Sequence, residues 1–435
     1  MALTKKSYKG TRDLFPLQKR EQDYIFSHFS KAAQIFGYEH YDGPLIEEVD
    51  LYKAKSGEEL INEQIYSFTD RGKRFVAIRP EMTPSLARMV AQVHRETSKP
   101  IRWYSIPNLM RYERPQKGRL REHWQFNCDI FGTSENFALC EILSLAVHLM
   151  QQFGATTEHF EIRVNHRKIL DEIIEKVLQL DSKSSYKLYK IIDRSKKITP
   201  DALAKELATL NISEDKQKSI LEFLNITSFD KLEIFLKEHH CQDSLAILQI
   251  LLKNLKSTDI LNFCLFDPSV VRGLDYYTGF VFEIFDKHPD NRRALCGGGA
   301  YENLLKIFDE PALQGVGFGL GDVTLLDFLK VHNLLPDFTK MDLDFFLCPI
   351  SNQGSDFIYQ LVKKLRQQDF SVLQSPDVLK INKAIQQASK KGARHIILIG
   401  DDECQNHVFS VKNLKNGNDV KLNLNDFDSN IRILL

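Results

Sequence analysis

An α+β chain built in several parts is the fold class this sequence predicts, and three observations predict it. The first 165 residues alternate helical and strand patterns, residues 168–262 carry helical periodicity with no strand pattern, and strand and helix alternate again from residue 342. At 435 residues the chain has room for several domains of roughly 150 residues each. With 43% hydrophobic and 27% charged residues it can bury a sizeable core, which excludes disordered and collagen-like classes. Lys+Arg and Asp+Glu both number 58, so any polyanion must be met by a local patch and not by bulk charge.

The elements follow in order. Ile25, Phe29, Ala32, Ala33 and Phe36 recur at helical spacing and predict an amphipathic helix over 18–36, which Gly37 ends. A strand is expected over 38–44, another over 75–79, a helix over 84–94, and strands over 101–109 and 122–131. The last two, joined by the loop 114–121, would form a long antiparallel hairpin, with Pro107 and Pro115 at edge or loop positions. Residues 168–262 read as a helical insertion inside a first domain that spans 1–335. Strand signals return over 281–285, a glycine-rich stretch follows at 297–299, and a second at 315–321 leads into a helix. The last domain, 340–435, shows strands over 345–349, 371–373, 395–399 and 407–412 with helices over 355–367 and 381–391. That alternation predicts a small α/β module with a largely parallel sheet.

No run approaches the ~18 apolar residues of a membrane helix, and residues 1–16 are polar, so no membrane partner and a cytoplasmic location are expected. The seven cysteines are widely spaced and never in a CxxC pair, which points to neither disulfide framework nor zinc ribbon. His239, His240 and Cys241 are adjacent, and neighbours on a helix point apart, so the trio reads as a helix end and no protein-held metal is expected.

Four stretches carry chemistry. Residues 95–121 hold eight basic and two acidic side chains, net +6 in a chain whose total is zero. Within them Arg111 and Glu113 fall on one face of an expected strand. A guanidinium grips phosphate through two parallel hydrogen bonds and a carboxylate accepts from an adenine amino group, so this pairing suits an adenine nucleotide on an open sheet. There is no Walker A motif, and Gly315, Gly317, Gly319 and Gly321 recur every second residue, not as a dinucleotide finger. Such spacing bares one sheet face for a flat ring, for another backbone, or for tight packing. Residues 271–283 place Arg272, Asp275, Tyr276 and Tyr277 ahead of a strand, where an arginine suits developing phosphate charge. Glu81 and Thr83 stand two residues apart between strand and helix, a pair fit for an ammonium group, although Thr83 taken singly reads as a helix N-cap.

In this order the four stretches resemble the histidyl-tRNA synthetases, a class II aminoacyl-tRNA synthetase family, over the whole chain. Residues 37–44 resemble motif 1, residues 106–131 with Arg111-Tyr-Glu-Arg-Pro-Gln-Lys-Gly-Arg119 resemble motif 2, and 315–326 take the place of motif 3. Arg272-Gly-Leu-Asp-Tyr-Tyr277 is similar to the signature that separates this family from other class II synthetases. The resemblance implies an antiparallel catalytic sheet flanked by helices in a homodimer, and a C-terminal anticodon-binding domain. It implies ligation of L-histidine to tRNA(His) through a histidyl-adenylate, with ATP and its Mg2+ counter-ion. It implies that Arg111 and Arg272 hold the α-phosphate from two sides and that Glu113 meets adenine. Glu81 and Thr83, flanking Met82, and Gln125 would hold the substrate ammonium, Asp129, Tyr276 and Tyr277 would read the imidazole, and Arg114 and Gln116 would meet the tRNA acceptor end.

The sequence departs from the family pattern at four places. Thr324 stands where motif 3 ends in an arginine for the γ-phosphate, Ala300 replaces an arginine, Asp129 replaces a glutamate, and Met82 replaces a glycine. Arg119, Arg121 or magnesium would then serve the γ-phosphate. Thr324 and Ala300 are also what would mark the rival reading, a catalytically silent paralogue acting as a regulatory subunit of ATP phosphoribosyltransferase or as a tRNA sensor.

Overall fold

The structure, a computed structural model, describes residues 3–53, 63–210, 212–271, 277–291 and 293–427. The chain forms two compact units, Met1–Leu335 and Pro336–Leu435.

The first unit opens with α1 (Pro16–Ile35), which starts on a proline at the position where its missing N–H costs nothing and ends where Gly37 takes φ +75°. Ile25, Phe29, Ala32 and Ala33 are buried as the helical spacing requires. Then come β1 (Glu39–His40), β2 (Ile46–Glu48), α2 (Val49–Lys53), β3 (Tyr66–Thr69), β4 (Phe75–Ile78) and α3 (Thr83–Val93). The strand expected over 38–44 is therefore only two residues long. The first long strand expectation is also interrupted: β5 (Ile101–Ser105) stops before Pro107 and β6 (Asn108–Met110) restarts beyond it, both pairing with β7 (Glu122–Phe131). A proline cannot donate to a ladder, which accounts for the break.

Next are α4 (Glu135–Gln152) and β8 (Phe160–His166). The insertion contains α5 (Arg167–Glu172), α6 (Ser182–Arg194), α7 (Pro200–Ala208), α8 (Glu214–Leu224), α9 (Phe229–Glu238) and α10 (Gln242–Ser257). The unit closes with β9 (Cys264–Phe266), β10 (Phe280–Asp286), β11 (Ala294–Tyr301), β12 (Gly315–Gly321) and α11 (Asp322–Val331). Its main sheet has the order β1-β5-β7-β12-β11-β10-β8-β9, with β6 paired to β7, and the central pairs are antiparallel. A separate small sheet has the order β2-β4-β3.

The second unit runs β13 (Leu343–Pro349), α12 (Ser355–Gln367), β14 (Val372–Gln374), α13 (Ile381–Lys391), β15 (Ala393–Ile399), α14 (Asp401–Asn406), β16 (Val408–Asn413) and β17 (Asp419–Asn423). Its sheet order is β14-β13-β15-β16-β17. The first three strands are parallel and the last two join antiparallel. Among the described residues no helix is long and apolar enough to cross a membrane.

Candidate active site

β7 is the axis of the site. It lies between β5 and β12, and alternate side chains along it face the same side of the sheet. Gln125 and Asp129 share that parity, and their cross-strand partners on β12 are Gly321 and Gly317. The bareness of β12 has a specific use. A β-carbon at Gly317 would overlap the Asp129 carboxylate and lie 2.8 Å from the Tyr301 hydroxyl, and one at Gly319 would lie 2.6 Å from Gln125 Cδ. The alternating glycines thus make room for this chain's own polar side chains, which lie down across the sheet.

Asp129 is 5% exposed, and the Tyr301 hydroxyl donates to its Oδ1. Burial pushes its pKa up to about 7, with the Tyr301 hydrogen bond pulling partly the other way. Tyr277 is buried, its ring centroid 6.4 Å from that of Tyr301. Asp129, Tyr301 and Tyr277 therefore form one dry polar corner. Arg272 and Tyr276 lie outside the described residues.

Glu81 and Met82 are buried and Thr83 is half-buried at the start of α3. Thr83 is not the N-cap: the helix begins at Thr83 itself, Met82 occupies the capping position, and no side chain caps the end. This corrects the N-cap expectation. Arg79 anchors the segment, its Nη1 donating to Asp42 Oδ1 (2.7 Å) and to the Gly43 carbonyl (2.8 Å).

Toward the other end of β7 lies an open cleft of about 730 Å³, lined by Arg111, Glu113, Arg119, His123, Gln125, Glu283, Arg293 and Thr324 among others. Arg111 and Glu113 share it as expected, yet neither is on a strand, because β6 ends at Met110. Their backbone turns tightly, Glu113 N–H donating to the Arg111 carbonyl at 2.8 Å, and Tyr112 points outward, 51% exposed. Arg111 Nε donates to the Pro80 carbonyl (2.9 Å), which fixes the guanidinium between hairpin and α3. Arg119 Nε stands 2.5 Å from Glu113 Oε2. His123 is held neutral, its pKa brought down to about 3 by burial first and then by Arg111, Arg12 and Arg119.

Arg121 does not line this cleft, which corrects its nomination as a phosphate ligand. Its guanidinium lies 3.9 Å above the Tyr112 ring, donates to the Tyr8 hydroxyl (2.9 Å) and donates to the Glu113 carbonyl (3.1 Å). It is a brace for the hairpin. Arg114 and Gln116 are exposed at the hairpin tip, where Gln116 and Arg119 exchange backbone hydrogen bonds of 3.0 and 2.9 Å around Gly118 at φ +71°. Reasoning from sequence missed His123, Glu283 and Arg293 as cleft residues, and Tyr301 as the partner of Asp129 in the buried corner. For Arg293 the only signal was a basic residue just ahead of the Gly297–Gly299 run.

Comparison with known proteins identifies the family of the chain. The histidyl-tRNA synthetase family model matches residues 10–324, and the anticodon binding domain model matches 344–433. The histidine-tRNA ligase of Leptospira biflexa serovar Patoc is 45% identical over 419 residues, covering 96% of this chain and 94% of that one. The chloroplastic/mitochondrial histidine-tRNA ligase of Arabidopsis thaliana is 35% identical, covering 97% and 85%. The crystal structure of histidyl-tRNA synthetase from Nostoc sp. PCC 7120 superposes with a TM-score of 0.78 over the full length of both chains at 20% identity, a likeness of fold. The chain belongs to the histidyl-tRNA synthetase family.

Proposed function

We infer that the chain ligates L-histidine to tRNA(His) at the expense of ATP, through a histidyl-adenylate. The 45% identity to a histidine-tRNA ligase over 96% of the chain carries this reading. Nothing favours the regulatory alternative.

We assign the residues along β7. Arg111 holds the α-phosphate, Glu113 accepts from the adenine amino group, and Arg119 adds positive charge along the phosphates. Gln125, Glu81 and Thr83 hold the substrate ammonium next to Met82, while Asp129 and Tyr277 read the imidazole. Arg272 and Tyr276, outside the described residues, take the parts that the family resemblance gives them, the α-phosphate and the imidazole. One histidine carboxylate oxygen bonds to the α-phosphorus, the bond to the β-bridging oxygen breaks, and pyrophosphate leaves with that electron pair. No protein nucleophile is required, so positioning and charge stabilisation supply the rate. Glu283 on the cleft wall has oxygen donors of the kind that could hold magnesium, which when bound with the nucleotide would neutralise phosphate charge.

The anticodon-binding family match over 344–433 supports recognition of tRNA by the second unit as well as by Arg114 and Gln116 at the hairpin tip. Exposed Ile46, Phe68 and Phe75 on the small β2-β4-β3 sheet support a homodimer through this region. We assign the work to the cytoplasm. Histidine-dependent exchange of pyrophosphate into ATP tests the assignment. Exchange is expected in the wild type and abolished in Arg272→Ala, and a wild type without exchange would end the ligase reading.

A further inference from the structure

We propose that Arg293 grips the terminal phosphates of ATP, in the place that an arginine at position 324 holds in the family pattern. The proposal rests on the reading of the cleft as the ATP site.

Position 324 offers no guanidinium, and its hydroxyl is already engaged. The Thr324 hydroxyl is turned to the protein, within 3.2 Å of both the Leu295 and the Gly321 carbonyls. Arg293 lines the same cleft, and the two residues also share an adjoining cavity of about 370 Å³ at the hairpin tip. They are neighbours in space: a β-carbon at Gly118 would lie 3.6 Å from Thr324 Cγ2 and 3.7 Å from Arg293 Cδ. A guanidinium starting on the loop before β11 thus reaches the side of the cleft where the motif 3 helix would have sent one.

The electrostatics favour an anion there. Among the described residues no carboxylate forms an ion pair with Arg293, whereas Arg119 nearby is already paired with Glu113. Burial, and then repulsion from Arg119, weaken the hold of Arg293 on its proton, with Glu113 opposing them. A polyphosphate between Arg119 and Arg293 would relieve that repulsion, and the half-buried guanidinium would bind it more strongly than an exposed one. The reaction fits, because the β- and γ-phosphates depart together as pyrophosphate, and a guanidinium there stabilises the leaving charge.

Exchange kinetics and pyrophosphorolysis of histidyl-adenylate test this. Arg293→Ala is expected to raise KM for ATP and KM for pyrophosphate by about tenfold or more, the loss of one charge-assisted hydrogen bond, with KM for histidine unchanged. Arg293→Lys should recover part of the loss. The double variant Arg293→Gly with Thr324→Arg should restore the KM for ATP, which also keeps the test informative should Arg293→Ala fold poorly. The inference is overturned by unchanged KM values for ATP and pyrophosphate in Arg293→Ala, by a defect confined to histidine, or by a double variant no better than Arg293→Gly alone. Absence of exchange in the wild type would sink the ATP-site reading as well, which separates the two failures.

Discussion

The two ends of β7 offer opposite physical environments to a ligand. At the inner end Asp129, Tyr301 and Tyr277 are buried, with Gly315 and Gly317 of β12 against Tyr301 and Asp129 and Gly299 of β11 against Tyr277, where a β-carbon would not fit. At the outer end Arg119 is 46% exposed, Arg114 and Gln116 stand in solvent, and the cleft is wide. A dry corner discriminates because any ligand that leaves a buried polar group unpaired is rejected. A wet, charged cleft tolerates rearrangement, since a phosphate responds to where positive charge is and less to which segment supplies it. The departures from the family pattern fall at both ends: Asp129 and Ala300 at the inner one, where Ala300 sits on β11 beside Tyr301, and Thr324 at the outer one.

The sharpest break of the comparison is Gly317→Ala. Its methyl group would overlap the Asp129 carboxylate, so histidine-dependent exchange should vanish while the anticodon-binding unit stays folded, measured by exchange and by circular dichroism. Asp129→Asn should reduce kcat/KM for histidine by about a hundredfold, with KM for ATP nearly unchanged, because an amide cannot receive the imidazole N–H as a carboxylate does. A loss spread equally over both substrates would mean that the two ends are not independent. Arg114→Ala and Gln116→Ala should leave exchange nearly intact and slow transfer to tRNA by about tenfold; an equal collapse of both steps would remove the hairpin tip from tRNA recognition.

The smallest effect concerns pH. Asp129 titrates near 7 in the folded protein, raised from 3.8, so it is protonated below that value and charged above it. KM for histidine should therefore rise as pH falls through about 7. Linkage gives the matching sign for stability: the folded state binds this proton more tightly, so the contribution of Asp129 declines as pH climbs from 3.8 toward 7. Tyr301→Phe removes the hydrogen bond that lowers the pKa, and the break in KM should move to higher pH. A break that stays in place would take Asp129 out of the titration.

Elements with a strong period were legible in the sequence. The helix expected over 18–36 is observed at Pro16–Ile35, and those expected over 355–367 and 381–391 are observed at Ser355–Gln367 and Ile381–Lys391. α4 went unrecognised even though Glu141, Ser144, His148 and Gln151 recur at helical spacing on its less buried face, opposite the buried Leu139, Ile142, Leu143, Ala146 and Leu149. β12 pairs with β7 across the whole insertion, a long-range choice that no local pattern encodes. In the site, Arg111 and Glu113 were placed together correctly on a wrong premise, since the chain there is a turn and not a strand. Arg293 lines the cleft and Arg121 does not, for one reason: sequence gives a charge and not the direction in which it faces. The tyrosines that capture Arg121, Tyr8 and Tyr112, lie 113 and 9 residues away from it along the chain or in the loop itself, and only folding brings both to the guanidinium.

Arg12 bonds Asp322 at 2.6 Å, and the two are 310 residues apart in the chain. Asp322 also accepts from the Trp124 backbone N–H at 2.9 Å, so one carboxylate ties the beginning, the hairpin and the start of α11 together. The cleft itself is lined by residues from Arg111 to Thr324, on both sides of the helical insertion, so a chain made from its N-terminus lacks one wall of the cleft until nearly the whole first unit has emerged.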